Sequence, residues 1–176
     1  MDKPMSNFHF RFMAFGFKFR DTGISPKEIV NQAGIKPGFH VLDYGCGPGS
    51  YSIAAADMVG RSGKVYALDI KPLAVKMVKD KAEKKGLKNL ETLLSDCATG
   101  LPDESIDFVI LYDIFHGLSE PESILQELHR VLKPDGKLSF SDHHLKKGTD
   151  QIESKGLFRL SEKKTGKKEI YTFVKI

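Results

Sequence analysis

The chain has 176 residues, the size of one domain, with 40% hydrophobic and 28% charged residues and a net charge of +4. This composition is ordinary for a globular protein and excludes a disordered or low-complexity chain. Two cysteines exclude a disulfide framework, and the apolar N-terminus, interrupted by Arg11 and Lys18, has the features of neither an export signal nor a membrane-spanning helix. We therefore expect one catalytic unit in a reducing cytoplasm.

Phenylalanines dominate the first predicted element, because residues 8–19 hold half of the chain's twelve. At helical spacing one face is shared by Phe8, Phe12, Phe15 and Phe19. An apolar lid over a bound ligand, a contact with a membrane surface and ordinary core packing are the three interpretations of this face.

A short helix is predicted next, over residues 26–33. Ser25 and Glu28 have the spacing of a capping box, Pro26 suits the first helical position, and Gly34 ends the helix. We take residues 1–34 as a Phe-rich segment with a cap helix and residues 35–176 as the main domain.

Strands and helices then alternate. Apolar and β-branched runs bounded by glycine or proline predict five strands at 39–44, 64–69, 90–95, 107–112 and 137–141. Apolar residues at helical spacing predict helices over 50–59, over 72–85 and over 121–132, the last capped by Ser119 and Glu122. After a short helical stretch near 149–154, strands at 157–161 and 169–175 predict an antiparallel hairpin, since their connection is too short for a crossover helix. The pattern indicates an α/β domain with a largely parallel sheet.

The strongest motif is the run Val41-Leu42-Asp43-Tyr44-Gly45-Cys46-Gly47-Pro48-Gly49-Ser50, where the first strand of the domain turns into a helix. Glycines allow the backbone to approach a ligand closely, and we expect exposed N–H groups at the helix start to attract an anion. A dinucleotide fingerprint needs G-x-G-x-x-G, which this spacing does not match. The motif alone leaves dinucleotide and sulfonium cofactors both open.

Acidic residues end the next two strands. Asp69 closes the second strand, where a carboxylate can accept two hydrogen bonds from a ribose diol, and Asp96 closes the third. Either one alone is equally typical of a helix cap or a turn. Together with the glycine loop they line one crevice at the carboxyl edge of the sheet, where open α/β folds bind ligands.

These motifs, with Gly100-Leu101-Pro102, Asp107-Phe108-Val109 and the run from Arg130 to Gly136, resemble the class I S-adenosylmethionine-dependent methyltransferases. Within them the chain is most similar to the group that includes the ubiquinone and menaquinone biosynthesis methyltransferases. The resemblance covers roughly residues 35–145. It implies a Rossmann-like fold whose mostly parallel seven-stranded sheet ends in an antiparallel hairpin, and S-adenosylmethionine as the cofactor.

The resemblance also implies roles for individual residues. Gly45, Gly47 and the adjacent helix start would hold the methionine end of the cofactor. Asp69 would hold the ribose, and Asp96 the adenine amino group with help from the Cys97 backbone. Further cofactor contacts are implied for Asp43, Tyr44, Cys46, Ile70 and Tyr112. Because relatives cover the acceptor with their N-terminal segment, the resemblance favours the lid among the three interpretations of residues 8–19.

A general base is needed if the acceptor is a hydroxyl or an acidic carbon. The candidates follow the fourth and fifth strands: Asp113, His116, Asp142, His143 and His144. Among them we expect His116, Asp142 and His143 to be catalytic. Their spacing is not diagnostic of a metal site, and we expect no metal.

Three function classes remain open. The preferred acceptor is a small apolar or aromatic molecule, and nucleic-acid bases are disfavoured because Tyr112-Asp113-Ile114 is not Asp-Pro-Pro-Tyr and no Pro-Cys pair is present. The basic segment 146–176 motivates an RNA or protein methyltransferase as an alternative. The short connection between residues 145 and 156 motivates a noncatalytic S-adenosylmethionine-binding regulator. The sequence does not determine the oligomeric state.

Overall fold

The computed structural model of the chain describes residues 6–145 and 148–176, and in the first helix it describes side chains outside residues 13 and 17–22. The strands in this part of the chain are β1 (His40–Tyr44), β2 (Lys64–Asp69), β3 (Leu90–Leu94), β4 (Ile106–Tyr112), β5 (Leu132–Ser141), β6 (Phe158–Lys164) and β7 (Ile170–Lys175). The helices are α1 (Asn7–Gly23), α2 (Pro26–Ala33), α3 (Ser50–Val59), α4 (Pro72–Lys85), α5 (Pro121–Val131) and α6 (Gly148–Glu153), with a 3₁₀ turn at Phe115–Gly117.

All the described strands belong to one sheet in the order β3-β2-β1-β4-β5-β7-β6. Strands β1 to β5 are parallel, whereas β7 is antiparallel to both β5 and β6. The chain runs outward from β1 to β3 and then returns to place β4 on the other side of β1. This reversal of strand order creates the crevice at the carboxyl ends of β1 and β4. The predicted α/β fold, its mostly parallel seven-stranded sheet and its terminal hairpin are confirmed.

The core explains why these segments adopt these elements. Strand β4 is buried at every position except half-buried Asp107, as expected for a central strand covered on both faces. Helix α3 brings Ala54, Ala55 and Ala56 against the sheet, and their small side chains allow close packing. On the opposite face, Leu125 and Leu128 of α5 are fully buried. Each leucine of this kind stabilises the fold by about 1.5–3 kcal/mol.

Both capping predictions are wrong in detail. Ser25 stands at the N-cap of α2 but makes no side-chain capping bond, and Glu28 instead accepts a hydrogen bond from Lys167 Nζ at 2.5 Å. The N-cap of α5 is Glu120 rather than Ser119, and Glu122 pairs with Lys155 at 2.7 Å. In both helices a lysine from a distant segment draws the predicted capping glutamate away from the helix end.

Strand β5 begins five residues earlier than predicted, directly after α5. Leu132 already pairs with Ile106, and the regular pairing resumes where Lys137 meets Phe108, so the residues between them form an irregularity in the ladder. At Gly136 an added Cβ would lie 2.8 Å from Leu132 Cδ2 and 3.1 Å from the Ile106 carbonyl oxygen. The turn motif in the sequence therefore marks a bulge within the strand rather than its start.

Helix α1 turns the predicted phenylalanine face outward. Phe8, Phe12 and Phe15 are 78%, 74% and 60% exposed, so core packing is wrong for these three, and the exposed face gives the lid interpretation no support. The side chain of Phe19 lies outside the described residues. Phe10, on the opposite side of the helix, is buried. No helix among the described residues is long and apolar enough to cross a membrane.

Candidate functional site

The glycine loop between β1 and α3 depends on left-handed backbone geometry. Gly45, Gly47 and Gly49 have φ angles of 76°, 51° and 84°. An added Cβ at Gly45 would lie 2.1 Å from Ile114 Cδ1, and one at Gly49 would lie 2.6 Å from Val78 Cγ2. The glycines are thus required both for the turn and for close packing of the loop against neighbouring side chains.

The amide groups of this loop bind the end of β2. The N–H groups of Gly45 and Cys46 donate to the Leu68 carbonyl oxygen at 2.8 and 2.9 Å, and Gly47 N–H donates to Asp69 Oδ2 at 2.9 Å. The expectation of an anion at the helix start stays a prediction, because these three amides precede α3 and are occupied within the protein. Their role is to hold the loop and Asp69 in one rigid unit.

Asp69 fits the predicted ribose contact. Its Oδ1 accepts a hydrogen bond from Lys71 N–H at 2.8 Å, so each carboxylate oxygen accepts one backbone amide. A carboxylate has about four acceptor positions, which leaves capacity for the two hydroxyls of a ribose. Burial raises the pKa of Asp69, and the amides of Lys71 and Gly47 act against that rise.

The residues predicted to contact adenine, Asp96 and Cys97, follow the end of β3. Asp96 is exposed at this end and Cys97 is half-buried. The buried Tyr44 donates its hydroxyl hydrogen bond to the Asp96 carbonyl oxygen at 3.1 Å. Tyr44 thus positions the Asp96 backbone from inside the fold, while Ile70 lies half-buried directly after Asp69.

Three further predicted cofactor residues lie mostly inside the domain. Asp43 is buried and accepts a hydrogen bond from Ser52 Oγ at 2.5 Å; burial raises its pKa to about 7 against the effect of that bond. Burial also raises the pKa of the Cys46 thiol. The Tyr112 hydroxyl lies 2.7 Å from Ser139 Oγ, and burial raises the pKa of this tyrosine too. These side chains lie inside the domain and support the residues that line the crevice.

The predicted catalytic residues His116 and Asp142 meet at the ends of β4 and β5. The Asp142 carboxylate lies 2.9 Å from His116 Nδ1 and accepts backbone N–H groups from His116 and His144 at 3.0 Å each. Its side chain is fully buried, whereas that of His116 is 34% exposed. An ionised carboxylate only accepts, so Nδ1 carries the shared proton, and in the neutral ring Nε2 is then the acceptor.

The third predicted catalytic residue, His143, belongs to a second pair. His143 Nδ1 lies 2.8 Å from Asp113 Oδ1, and Lys168 Nζ lies 2.5 Å from Asp113 Oδ2. Burial favours a higher pKa for Asp113, but the Lys168 ammonium and His143 hold it below its ordinary value. The rings of His116, His144 and His143 form a row, with centroid distances of 4.3 and 3.9 Å.

Ile114 connects the histidine row to the cofactor half of the crevice. Its Cδ1 occupies the space where a side chain at Gly45 would begin, and His116 follows two residues later in the 3₁₀ turn. Neither this contact nor the roles of Ser52 and Lys168 were predicted from the sequence. An isoleucine after a strand and a lysine in a polar hairpin carry no motif that would have indicated them.

The described residues contain no group of three or more histidine, cysteine, aspartate or glutamate side chains arranged to hold a metal ion. The histidine row contains two carboxylate–histidine pairs, with the ring of His144 between them. Such pairs orient imidazole rings and can take part in proton transfer.

Comparison with known proteins identifies the family. A family described as "Methyltransferase domain" matches residues 35–176. Curated relatives include the demethylmenaquinone methyltransferases of Geobacillus stearothermophilus, 32% identical over 62% of this chain and 47% of the relative, and of Bacillus mycoides, 36% identical over 64% and 48%. The chain spans about half the length of these relatives.

Solved structures agree with this result. A S-adenosylmethionine-dependent methyltransferase from Aquifex aeolicus is 34% identical, with a TM-score of 0.75 over 85% of this chain and 88% of that one. A Methanococcus maripaludis protein has a TM-score of 0.80 over 99% and 96% at 16% identity, which shows the fold alone. The chain belongs to the S-adenosylmethionine-dependent methyltransferase family, and S-adenosylmethionine is its cofactor.

Proposed function

We propose that this methyltransferase domain methylates a small aromatic acceptor whose reacting oxygen or carbon carries an acidic hydrogen. The proposal rests on the buried Asp142 carboxylate, which fixes His116 with Nε2 as its acceptor nitrogen. The demethylmenaquinone methyltransferases among the relatives are named for an acceptor of the quinone class, which supports an aromatic substrate.

The residues of the cofactor half suit S-adenosylmethionine. The loop at Gly45 and Gly47 would take the methionine end, Asp69 the ribose hydroxyls, and Asp96 with Cys97 the adenine. Asp43, Tyr44, Cys46, Ile70 and Tyr112 would complete or support this site. When bound, S-adenosylmethionine supplies a methyl group that is already electrophilic, so the protein needs no nucleophile of its own.

The chain's contribution is positioning and proton removal. His116 Nε2 accepts the proton that the acceptor loses, and Asp142 stabilises the resulting imidazolium while holding the ring in place. His143 is the second candidate base, but it is 68% exposed and shares Asp113 with Lys168. Greater enclosure favours His116, because its ring is held against a fully buried carboxylate.

RNA is a less favoured acceptor than a small molecule, because ion pairs neutralise most lysines of the basic segment 146–176. Six of its lysines pair with acids at 4 Å or less, namely Lys155, Lys163, Lys164, Lys167, Lys168 and Lys175. A phosphate backbone binds through unpaired cations that release counterions. The hairpin therefore offers a smaller positive surface than the sequence indicates.

A methyl-transfer screen with labelled cofactor over phenols, hydroquinones, thiols and amines tests the proposal. We expect turnover with a phenol or hydroquinone, and we expect His116→Gln to lower kcat/KM by about 10²–10⁴-fold with S-adenosylhomocysteine affinity unchanged. His129→Gln is the matched control, because half-buried His129 of α5 contacts Phe158 and the Ile176 carbonyl oxygen rather than the histidine row. Turnover restricted to amines, or full activity of His116→Gln, would refute the role of His116 as the general base. Loss of activity only in His143→Gln would assign that role to His143.

A further inference from the structure

The exposed side of α1 carries a continuous apolar surface. Phe8, Phe12 and Phe15 lie at positions i, i+4 and i+7, within about 60° of one face of the helix, and each is at least 60% exposed. We call these three residues the phenylalanine stripe. Three phenylalanines expose a few hundred Å² of apolar area, a size that marks a contact site on a folded protein.

Basic residues outnumber acidic ones in the helix that carries the stripe, since α1 has two arginines and one lysine against Asp21. Residues 7–20 contain Arg11, Lys18 and Arg20 and no acidic residue, and the described side chain of Arg11 is exposed. Helices that lie on membranes combine a row of large apolar side chains with flanking cations in this way. A symmetric contact between two copies of the stripe would bring like charges together, which opposes self-association.

A cationic cleft lies close to the C-terminal end of α1. This cleft of about 470 Å³ is lined by Pro26 together with Lys81, Lys84 and Lys85 of α4; none of its lining residues is acidic, and Lys85 pairs with Asp57 at 3.5 Å. Lys81 Nζ donates to the Pro48 carbonyl oxygen at 2.6 Å. Pro26 follows the last residue of α1 by three positions, which limits the separation between them to about 10 Å. We call this feature the lysine cleft.

The inner side of α1 places the helix beside the crevice. Phe10 is buried with Lys71 Nζ 5.5 Å from its ring centroid, within the range of a cation–π contact. Lys71 is also the residue whose amide binds Asp69. The helix is thereby connected to the cofactor half of the site through its inward face, while the phenylalanine stripe faces away.

We propose that the phenylalanine stripe and the lysine cleft together dock this protein on an anionic lipid bilayer. The stripe enters the boundary between headgroups and acyl chains, and Arg11 and the cleft lysines contact lipid phosphates. The lipid contact does not depend on the proposed function.

Vesicle co-sedimentation with the full chain and no acceptor tests the apolar part. We expect the wild type to bind vesicles of mixed phosphatidylglycerol and phosphatidylcholine, and Phe8→Ser/Phe12→Ser/Phe15→Ser to bind about tenfold more weakly or worse, equivalent to about 1.4 kcal/mol or more. Ile176→Ser removes a large side chain that is 68% exposed outside α1, and this control should bind like the wild type. Melting temperatures should stay near normal, because no core group is removed.

A charge-reversal variant tests the lysine cleft. Lys84→Glu should weaken binding to the mixed vesicles about tenfold, and raised salt should weaken wild-type binding in the same way. Lys137→Glu, an exposed lysine on β5, is the charge-matched control and should bind normally. Vesicles of phosphatidylcholine alone should bind the wild type and Lys84→Glu equally weakly.

Three outcomes would overturn the proposal: no wild-type binding to the mixed vesicles, equal binding by the stripe variant, or a concentration-dependent dimer that the stripe variant abolishes in sedimentation equilibrium. The last result would assign the stripe to a second copy of the chain. Failure of the proposed function is distinguishable, because it would show as absent methyl transfer to water-soluble phenols while vesicle binding persists.

Discussion

The two halves of the crevice are built in different ways, one mainly from backbone geometry and the other mainly from pairs of side chains. In the cofactor half, backbone geometry predominates: Gly45 and Gly47 adopt left-handed conformations, and their amides bind the end of β2. In the histidine half, side chains predominate, since His116 meets Asp142 and His143 meets Asp113 across different strands. Backbone geometry suits a ligand of constant shape, whereas side-chain pairs can be exchanged to suit different acceptors.

The two halves also shift the pKa of a carboxylate in opposite directions. Asp43 in the cofactor half is buried beside Ser52, and burial raises its pKa to about 7. Asp113 in the histidine half is also partly buried, yet Lys168 and His143 hold its pKa below the ordinary value. A carboxylate in the first environment weakens the fold when it ionises, and one in the second strengthens it.

The largest effect that we expect is on the pH dependence of folding stability, and it comes from Asp43 in the cofactor half. The folded pKa of Asp43, about 7, lies above its ordinary value of 3.8, so the folded chain binds this proton more tightly than the unfolded chain. Its contribution to stability is fully present below about pH 4 and is lost as the pH rises to about 7. The upper limit of that loss is about 4 kcal/mol. Asp43→Asn should remove this part of the pH dependence.

Urea unfolding of both proteins between about pH 5 and about pH 8 measures the difference. The amide that replaces the carboxylate in Asp43→Asn is not ionisable, and its oxygen can still accept from Ser52. The unfolding free energy of the variant should therefore rise relative to that of the wild type as the pH increases. Parallel stability curves for the two proteins would show that Asp43 does not titrate in this range.

A smaller effect tests whether backbone geometry controls the cofactor half. Gly45→Ala adds strain at a φ of 76° and a contact 2.1 Å from Ile114 Cδ1. We expect a loss of about 2–3 kcal/mol in unfolding free energy and weaker S-adenosylhomocysteine binding. Gly86→Ala is the control, because Gly86 has a φ of 67° with open space around it. It should cost only about 1 kcal/mol and leave calorimetric binding unchanged; equal losses in both variants would contradict the packing role.

The weakest effect that we expect lies in the histidine half. Asp113→Asn removes the charge that pairs with Lys168 while keeping a side chain that tolerates the φ of 54°. Since the pKa of Asp113 is lowered, its contribution is present above its ordinary value near pH 4 and is lost as the pH falls further. At pH 7 we expect thermal melts to show a loss of about 1 kcal/mol after allowing for solvent screening.

The exposed pair of Lys76 and Asp80 on α4 provides the comparison for this variant. Asp80→Asn should cost about 0.3–0.5 kcal/mol, as for other exposed pairs one helical turn apart. A cost at Asp113 no greater than that at Asp80 would show that partial burial adds nothing to the Lys168 pair.

Local sequence patterns were enough to predict the order of elements, the terminal hairpin and the shared sheet edge of the glycine loop and Asp69. Glycine spacing and the acids at strand ends are such patterns, and a residue such as Gly45 or Asp69 has a role set by its place in a strand-loop-helix unit. Periodicity likewise predicted which phenylalanines of α1 share a face. The capping boxes failed because a local pattern cannot include a distant competitor such as Lys167.

The pairing of side chains in the histidine half depends on contacts between distant segments, which only the folded chain brings together. Asp113 lies 30 positions from His143 and 55 from Lys168, and no local pattern connects them. The same limit applied to α1, whose two sides are both apolar. Helical spacing separated Phe10 from Phe12, but hydrophobicity alone gave neither side a preference, and the contact of Phe10 with Lys71 determines which side faces the fold.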